Sequence, residues 1–126
     1  MKKLTYLFFL LFPIITFSQA RLGSSLNEIR NEFSTQKMGY INTNNIPCLI
    51  VTYPDIEVCY YFDSKSYCYQ TSIVSQSLKQ SKHIIDVYNK NYIITSKTSW
   101  IMNDSFRTVH VKFSYKRDIG YIFTWN

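Results

Sequence analysis

The sequence predicts an α+β domain: antiparallel sheet meanders with two helices packed on one face, in the order helix-βββ-helix-βββ. Three observations carry this reading. Apolar residues recur at helical spacing in two short stretches, 26–33 and 78–88. After each stretch the period changes to two, with aromatic and β-branched residues alternating with polar ones. Only short polar clusters interrupt the alternating runs, so neighbouring strands are joined by turns.

The chain opens on Met1-Lys2-Lys3, an apolar run from Leu4 to Phe17, and Ser18-Gln19-Ala20. A basic tip, a short apolar stretch and a small-x-small ending are the parts of a secretory signal peptide. The run is shorter than the roughly 20 residues that a spanning helix needs, and Pro13 interrupts it. Residues 1–20 are therefore expected to be a signal peptide, with cleavage after Ala20 or Ser18. Residues 21–126 are expected to form a single α+β domain, exported to the periplasm or the extracellular medium, with no transmembrane segment after cleavage. No cysteine sits at the cut to take a lipid.

The first helix begins at Ser25, where Glu28 three residues on completes a capping-box pattern. Leu26, Ile29 and Phe33 form its apolar stripe. Residues 34–45 read as a polar loop containing Asn42-Thr43-Asn44-Asn45. Leu49, Val51 and Tyr53 then line one side of a strand, and Pro54-Asp55 marks a turn. Ile56, Val58, Tyr60 and Phe62 line the second strand. Asp63 to Ser66 is a second turn, and Tyr67, Tyr69, Thr71 and Ile73 line the third strand. Two-residue turns would set Val51 against Val58, Leu49 against Tyr60 and Tyr67 against Phe62.

Helical spacing returns over 77–89, with Leu78, Ser81, Ile85 and Tyr88 on one face and Ile84 and Val87 widening it. Residues 92–102 read as one β-branched strand, and Asn103-Asp104-Ser105 as a turn. Val109, Val111, Phe113 and Tyr115 alternate next; after a turn at 116–120, Tyr121, Phe123 and Trp125 follow, with Trp125 docked. A faint repeat runs through this order. Ser24-Ser25-Leu26 resembles Gln76-Ser77-Leu78 at an offset of 52, and 60–71 runs parallel to 113–124 at 53.

Charge narrows the function classes. The whole chain carries +6; without Lys2 and Lys3 the excess is +4, scattered along the sequence. No basic stripe of the kind that tracks a phosphate backbone is present, so nucleic acid is not an expected partner. In the assigned register Cys48, Tyr61 and Cys68 line up on the side opposite the core residues, with Cys59 two residues along. An oxidising compartment permits a disulfide, and Cys48–Cys59 and Cys59–Cys68 are the candidate pairs. Half-buried free thiols are the other reading. The spacing of Cys48, Cys59, Cys68, His83 and His110 matches no metal-binding pattern, and no metal or other cofactor is expected.

No nucleophile elbow, phosphate-cradling glycine loop or catalytic triad spacing occurs, so no catalytic residue is assigned. Most of the carboxylates lie in or beside turns, whose chemistry explains them. Glu57 is the exception, since it faces the same side as Cys59 and Tyr61.

Tyr60-Tyr61-Phe62-Asp63, Cys68, Tyr88-Asn89-Lys90-Asn91-Tyr92, Trp100 and Gly120-Tyr121-Ile122-Phe123-Thr124-Trp125 together resemble small exported proteins of Bacteroidota. The ending Phe17-Ser18-Gln19-Ala20 is similar to theirs. The resemblance implies an envelope location and no reaction. By element order alone, the chain is similar to β-lactamase-inhibitor-like and PepSY-like domains. Its Leu22-Gly23-Ser24-Ser25 opening is similar to SmpA/OmlA-like assembly lipoproteins, without their lipobox cysteine.

The leading expectation is an exported, non-enzymatic binding module of the Gram-negative envelope. It would recognise an envelope protein or peptide, as an inhibitor or an assembly factor. Its face would be Ile50, Glu57, Cys59, Tyr61, Cys68 and Gln70, with Glu57, Tyr61, Gln70 and Ile50 as the contact residues. The alternatives are an envelope hydrolase acting on a glycan or peptide, using Glu57, His110 or a cysteine, and a structural surface protein.

Overall fold

The computed structural model describes residues 21–103 and 107–126. The signal peptide expected over residues 1–20 and the turn expected at Asp104-Ser105 lie outside them. Among the described residues no helix is long and apolar enough to cross a membrane.

Ser25 starts the first helix as expected. Its hydroxyl accepts from the Glu28 N–H, and the Glu28 carboxylate accepts from the Ser25 N–H. This reciprocal cap satisfies two donors that a helix start would leave open. Helix α1 (Leu26–Glu32) then buries Ile29 completely, and Phe33 at its end stacks on Tyr60 with ring centroids 5.9 Å apart.

The segment read as a polar loop contains a strand. β1 (Lys37–Thr43) pairs with β2 (Ile46–Thr52) through a two-residue turn, with Thr43 opposite Ile46. Asn44 and Asn45 both take positive φ, 52° and 63°. Asparagine tolerates that region, and two such residues make the turn whose twist suits a hairpin.

β2 and β3 (Ile56–Phe62) pair in the expected register, Leu49 against Tyr60 and Val51 against Val58. The next register differs from expectation. In β4 (Cys68–Ser75) Thr71 faces Tyr60, and Cys68 rather than Tyr67 faces Phe62. The Asp63 carboxylate accepts from the N–H groups of Lys65 and Tyr67, which lengthens the turn. The chain entering α1 then pairs with the start of β4: Gly23 N–H donates to the Cys68 carbonyl, and Cys68 N–H to that of Ser24. Tyr69 is left as an extra residue in a bulge, and Cys68 moves to the buried face, 3% exposed.

Helix α2 (Leu78–Asn91) is capped by Ser77, which accepts from Gln80 N–H. It buries Ser81, Ile84 and Tyr88, whereas Leu78, expected on that face, is exposed. The single strand expected over 92–102 is a hairpin, β5 (Ile93–Ser96) and β6 (Ser99–Asn103), turning at Lys97-Thr98. β7 (Thr108–Lys116) and β8 (Gly120–Trp125) complete the fold, with Phe113 opposite Phe123 and Tyr115 opposite Tyr121. The observed order is thus one helix and four strands, twice, in place of the expected helix-βββ-helix-βββ.

All eight strands form one antiparallel sheet, in the order β1-β2-β3-β4-β8-β7-β6-β5. The halves meet where β4 pairs with β8. Ser72 and Thr124 face each other there and are 52 positions apart, as are Leu26 and Leu78 at the helix starts. The two halves are therefore related by an approximate two-fold axis normal to the sheet at this pair, which leaves both helices on one face.

That covered face holds the core. Tyr88 of α2 is fully buried, edge-on to Trp100, Phe123 and Trp125 at 5.3–5.5 Å between centroids. Trp125 Nε1–H donates to the Tyr88 hydroxyl at 3.1 Å, so neither buried polar atom is stranded. Burial holds the Tyr88 phenol well above the ordinary tyrosine range.

Two substitutions test this packing by urea unfolding. Tyr88→Phe keeps the rings and leaves the buried Trp125 N–H without an acceptor; a loss of about 1–3 kcal/mol is expected. Gly120→Ala is expected to cost more than about 1 kcal/mol. Gly120 has φ +116°, and an added Cβ would meet the Ser75 carbonyl oxygen at 2.8 Å.

Candidate functional site

Among the described residues, the helices leave the other face of the sheet open. Register fixes which side chains occupy it, because alternate residues of each strand point the same way. One row crosses all eight strands: Gly39, Ile50, Cys59, Ser72, Thr124, Lys112, Ser99 and Ser96. A second row holds Ile41, Cys48, Tyr61 and Gln70. A third holds Thr52, Glu57, Val74, Ile122 and Ser114.

The expected contact residues therefore fall together. Ile50 is opposite Cys59, Tyr61 lies between Cys48 and Gln70, and Glu57 is opposite Val74. Ile50, Tyr61 and Gln70 are half-buried, and Glu57 is exposed. Cys68 does not belong to the group; the Tyr69 bulge has turned it into the core. Its thiol donates to the Gln70 carbonyl at 3.4 Å and lies 3.5 Å from the Thr71 hydroxyl.

Cys48 and Cys59 share the open face, each 9% exposed, and are shielded by their cross-strand neighbours Tyr61 and Ile50. All three cysteines are free thiols, and Cys59 and Cys68 lie on opposite faces of the sheet. Cys48–Cys59 is the pair that a shared face permits. The Cys59 thiol donates toward Cys48, which lowers the Cys48 pKa against the opposing effect of burial. The same bond, together with burial, raises Cys59. Burial pushes the Tyr61 phenol up, and the neighbouring thiols add to this.

On the other half of the face the sequence singled out only His110, for the hydrolase alternative; it pairs with Ile101 of β6. Lys112 is flanked in direct register by Ser99 on β6 and Thr124 on β8. Val74 and Ile122 pair across the seam and join the two halves with apolar surface. The available signal was the alternation around Val109 to Tyr115, which already put His110 and Lys112 on the polar side. What it lacked was the strand order that lays β8 against β4. Among the described residues, no group of three or more His, Cys, Asp or Glu side chains is placed to hold a metal ion.

Comparison with known proteins finds no matching family model, no matching curated protein and no matching solved structure.

The thiol pair makes a direct prediction. Iodoacetamide labelling with peptide mapping is expected to modify Cys48 first, with a pH midpoint below the ordinary cysteine value, because the thiolate is the nucleophile. Cys59→Ala removes the donor, raises the Cys48 pKa and slows its labelling near neutral pH by about threefold or more. Cys59→Ser, which still donates, keeps more of the rate.

Proposed function

We propose that this chain is an exported, non-enzymatic binding module of a Gram-negative envelope that seats a protein or peptide against the open face of its sheet. One observation carries the reading: an eight-stranded sheet, covered on one side only by the helices among the described residues, presents half-buried apolar and aromatic side chains on the other. Ile50, Tyr61, Val74 and Ile122 supply apolar area near the middle of that face. Glu57 and Gln70 supply polar contacts beside it. A tyrosine that is already half ordered by its neighbours loses little entropy on binding and offers both a ring and a hydroxyl. Export rests on the basic tip, apolar run and small-x-small ending of residues 1–20. Inhibitor and assembly factor are the roles that the element-order resemblances imply.

The experiment is chemical cross-linking of residues 21–126 in an envelope extract, with captured proteins identified by mass spectrometry. A single near-stoichiometric partner is expected. Its affinity should fall at least about tenfold with Tyr61→Ala plus Gln70→Ala, which is the loss of one central contact of about 1.4 kcal/mol or more. Lys82→Ala, on the solvent side of α2, is expected to leave it unchanged. Binding that survives the double substitution would remove this face from the reading.

A further inference from the structure

We propose that the β5–β8 half of the open face carries a separate pocket for a singly charged carboxylate. A cavity of about 410 Å3 opens there, lined by Thr95, Ser99, His110, Lys112, Thr124 and Asn126 among others. Its size falls within the range of small-ligand sites. Its chemistry is one-sided: an ammonium, an imidazole, three hydroxyls and an amide, with no Asp or Glu side chain in the lining.

The donors are arranged as well as present. Lys112 has Ser99 directly opposite on one side and Thr124 on the other. Direct cross-strand neighbours stand about 4.5–5.5 Å apart at Cβ, so one hydroxyl lies on each side of the lysine stem, and either can join the ammonium on a carboxylate. His110, two residues along the same strand, points to the same face. Its backbone is held at both ends of a pair with Asn126, 2.8 and 3.0 Å, which fixes the rim.

These donors are unspent. Among the described residues, Lys112 makes no ion pair, and the hydroxyls of Thr95, Ser99 and Thr124 make no hydrogen bond. A lysine on a sheet face ordinarily extends into water; here an idle hydroxyl flanks its base on each side, at the edge of a concavity. Charge selects the ligand. One fixed positive charge balances a carboxylate, whereas a phosphate dianion would be left half-compensated. The approximate two-fold sharpens the contrast, since the position equivalent to Lys112 in the first half is Cys59. The anion pocket therefore belongs to one half only. It stands independently of whether a peptide docks at Tyr61.

The test is an amide NMR titration of the 15N-labelled chain. The probes are N-acetylglutamate amide and D-glucuronate, a peptide source and a sugar source of the same group, with N-acetylglutamine amide as the uncharged match. Saturable shifts at Ser99, Lys112 and Thr124 are expected with the acids, at least tenfold weaker with the glutamine probe. Lys112→Gln should cost tenfold or more in affinity and Lys112→Arg under threefold, with amide shifts on the far half of the sheet unchanged. Whichever acid binds tighter identifies the source. Equal shifts with both glutamate and glutamine probes would overturn the proposal. So would no shift with either acid. Tighter binding of inorganic phosphate would overturn the assignment to a carboxylate.

Discussion

The pairing of β4 with β8 is the constraint on which the rest depends. Each half is a helix and a four-stranded meander whose strands pair with sequence neighbours. The buried residues of both halves form one continuous core. The first contributes Ile73 and Thr71 and the second Phe123 and Trp125, and these meet across the single ladder joining the halves. On the covered face that ladder joins the Tyr60 side of the core to the Tyr88 side. On the open face it sets Ser72 against Thr124 and Val74 against Ile122, turning two narrow surfaces into one. A slip of one residue would send Trp125 to the open side and Thr124 into the core.

The two faces divide the labour because the helices fall on the same side. Large aromatic rings fill the covered layer: Tyr60, Phe62, Tyr88, Trp100, Phe123 and Trp125 are all nearly inaccessible. Each contributes about 1.5–3 kcal/mol or more by burial. Rigid packing there frees the other face from any structural duty beyond its hydrogen bonds. Its side chains can then differ between halves without disturbing the fold, and they do: thiols and a tyrosine at one end, an ammonium among hydroxyls at the other.

Much of the local structure was legible in the sequence. The Ser25 cap, the α2 stripe and the Leu49–Tyr60 and Val51–Val58 pairs follow from rules that act over a few residues. The errors have local causes too. β1 was missed because its turn uses Asn44-Asn45 with no glycine, and because an edge strand buries little beyond Met38. The β5–β6 hairpin was missed because its central residues, Lys97-Thr98, include no glycine, proline, asparagine or aspartate. Cys68 was placed on the wrong face because the shift comes from outside its own strand, where residues 23–24 pair with it. The strand order, which brings Lys112 and Thr124 beside the Tyr61 group, rests on contacts between residues about 50 positions apart. A faint repeat was its only trace.

The strand order also sets a timetable for folding. β8 is the last strand in chain order, yet it sits near the middle of the sheet. While the chain is being made, α1 and β1–β4 can pair locally, but β4 remains an unpaired edge with Thr71 and Ile73 uncovered. The ring cluster that fixes α2 cannot assemble before Phe123 and Trp125 arrive. Long-range closure of this kind is slow and leaves a sticky intermediate. Until β8 pairs, the edge of β4 stays open to any other strand that meets it, and the covered face stays unlocked.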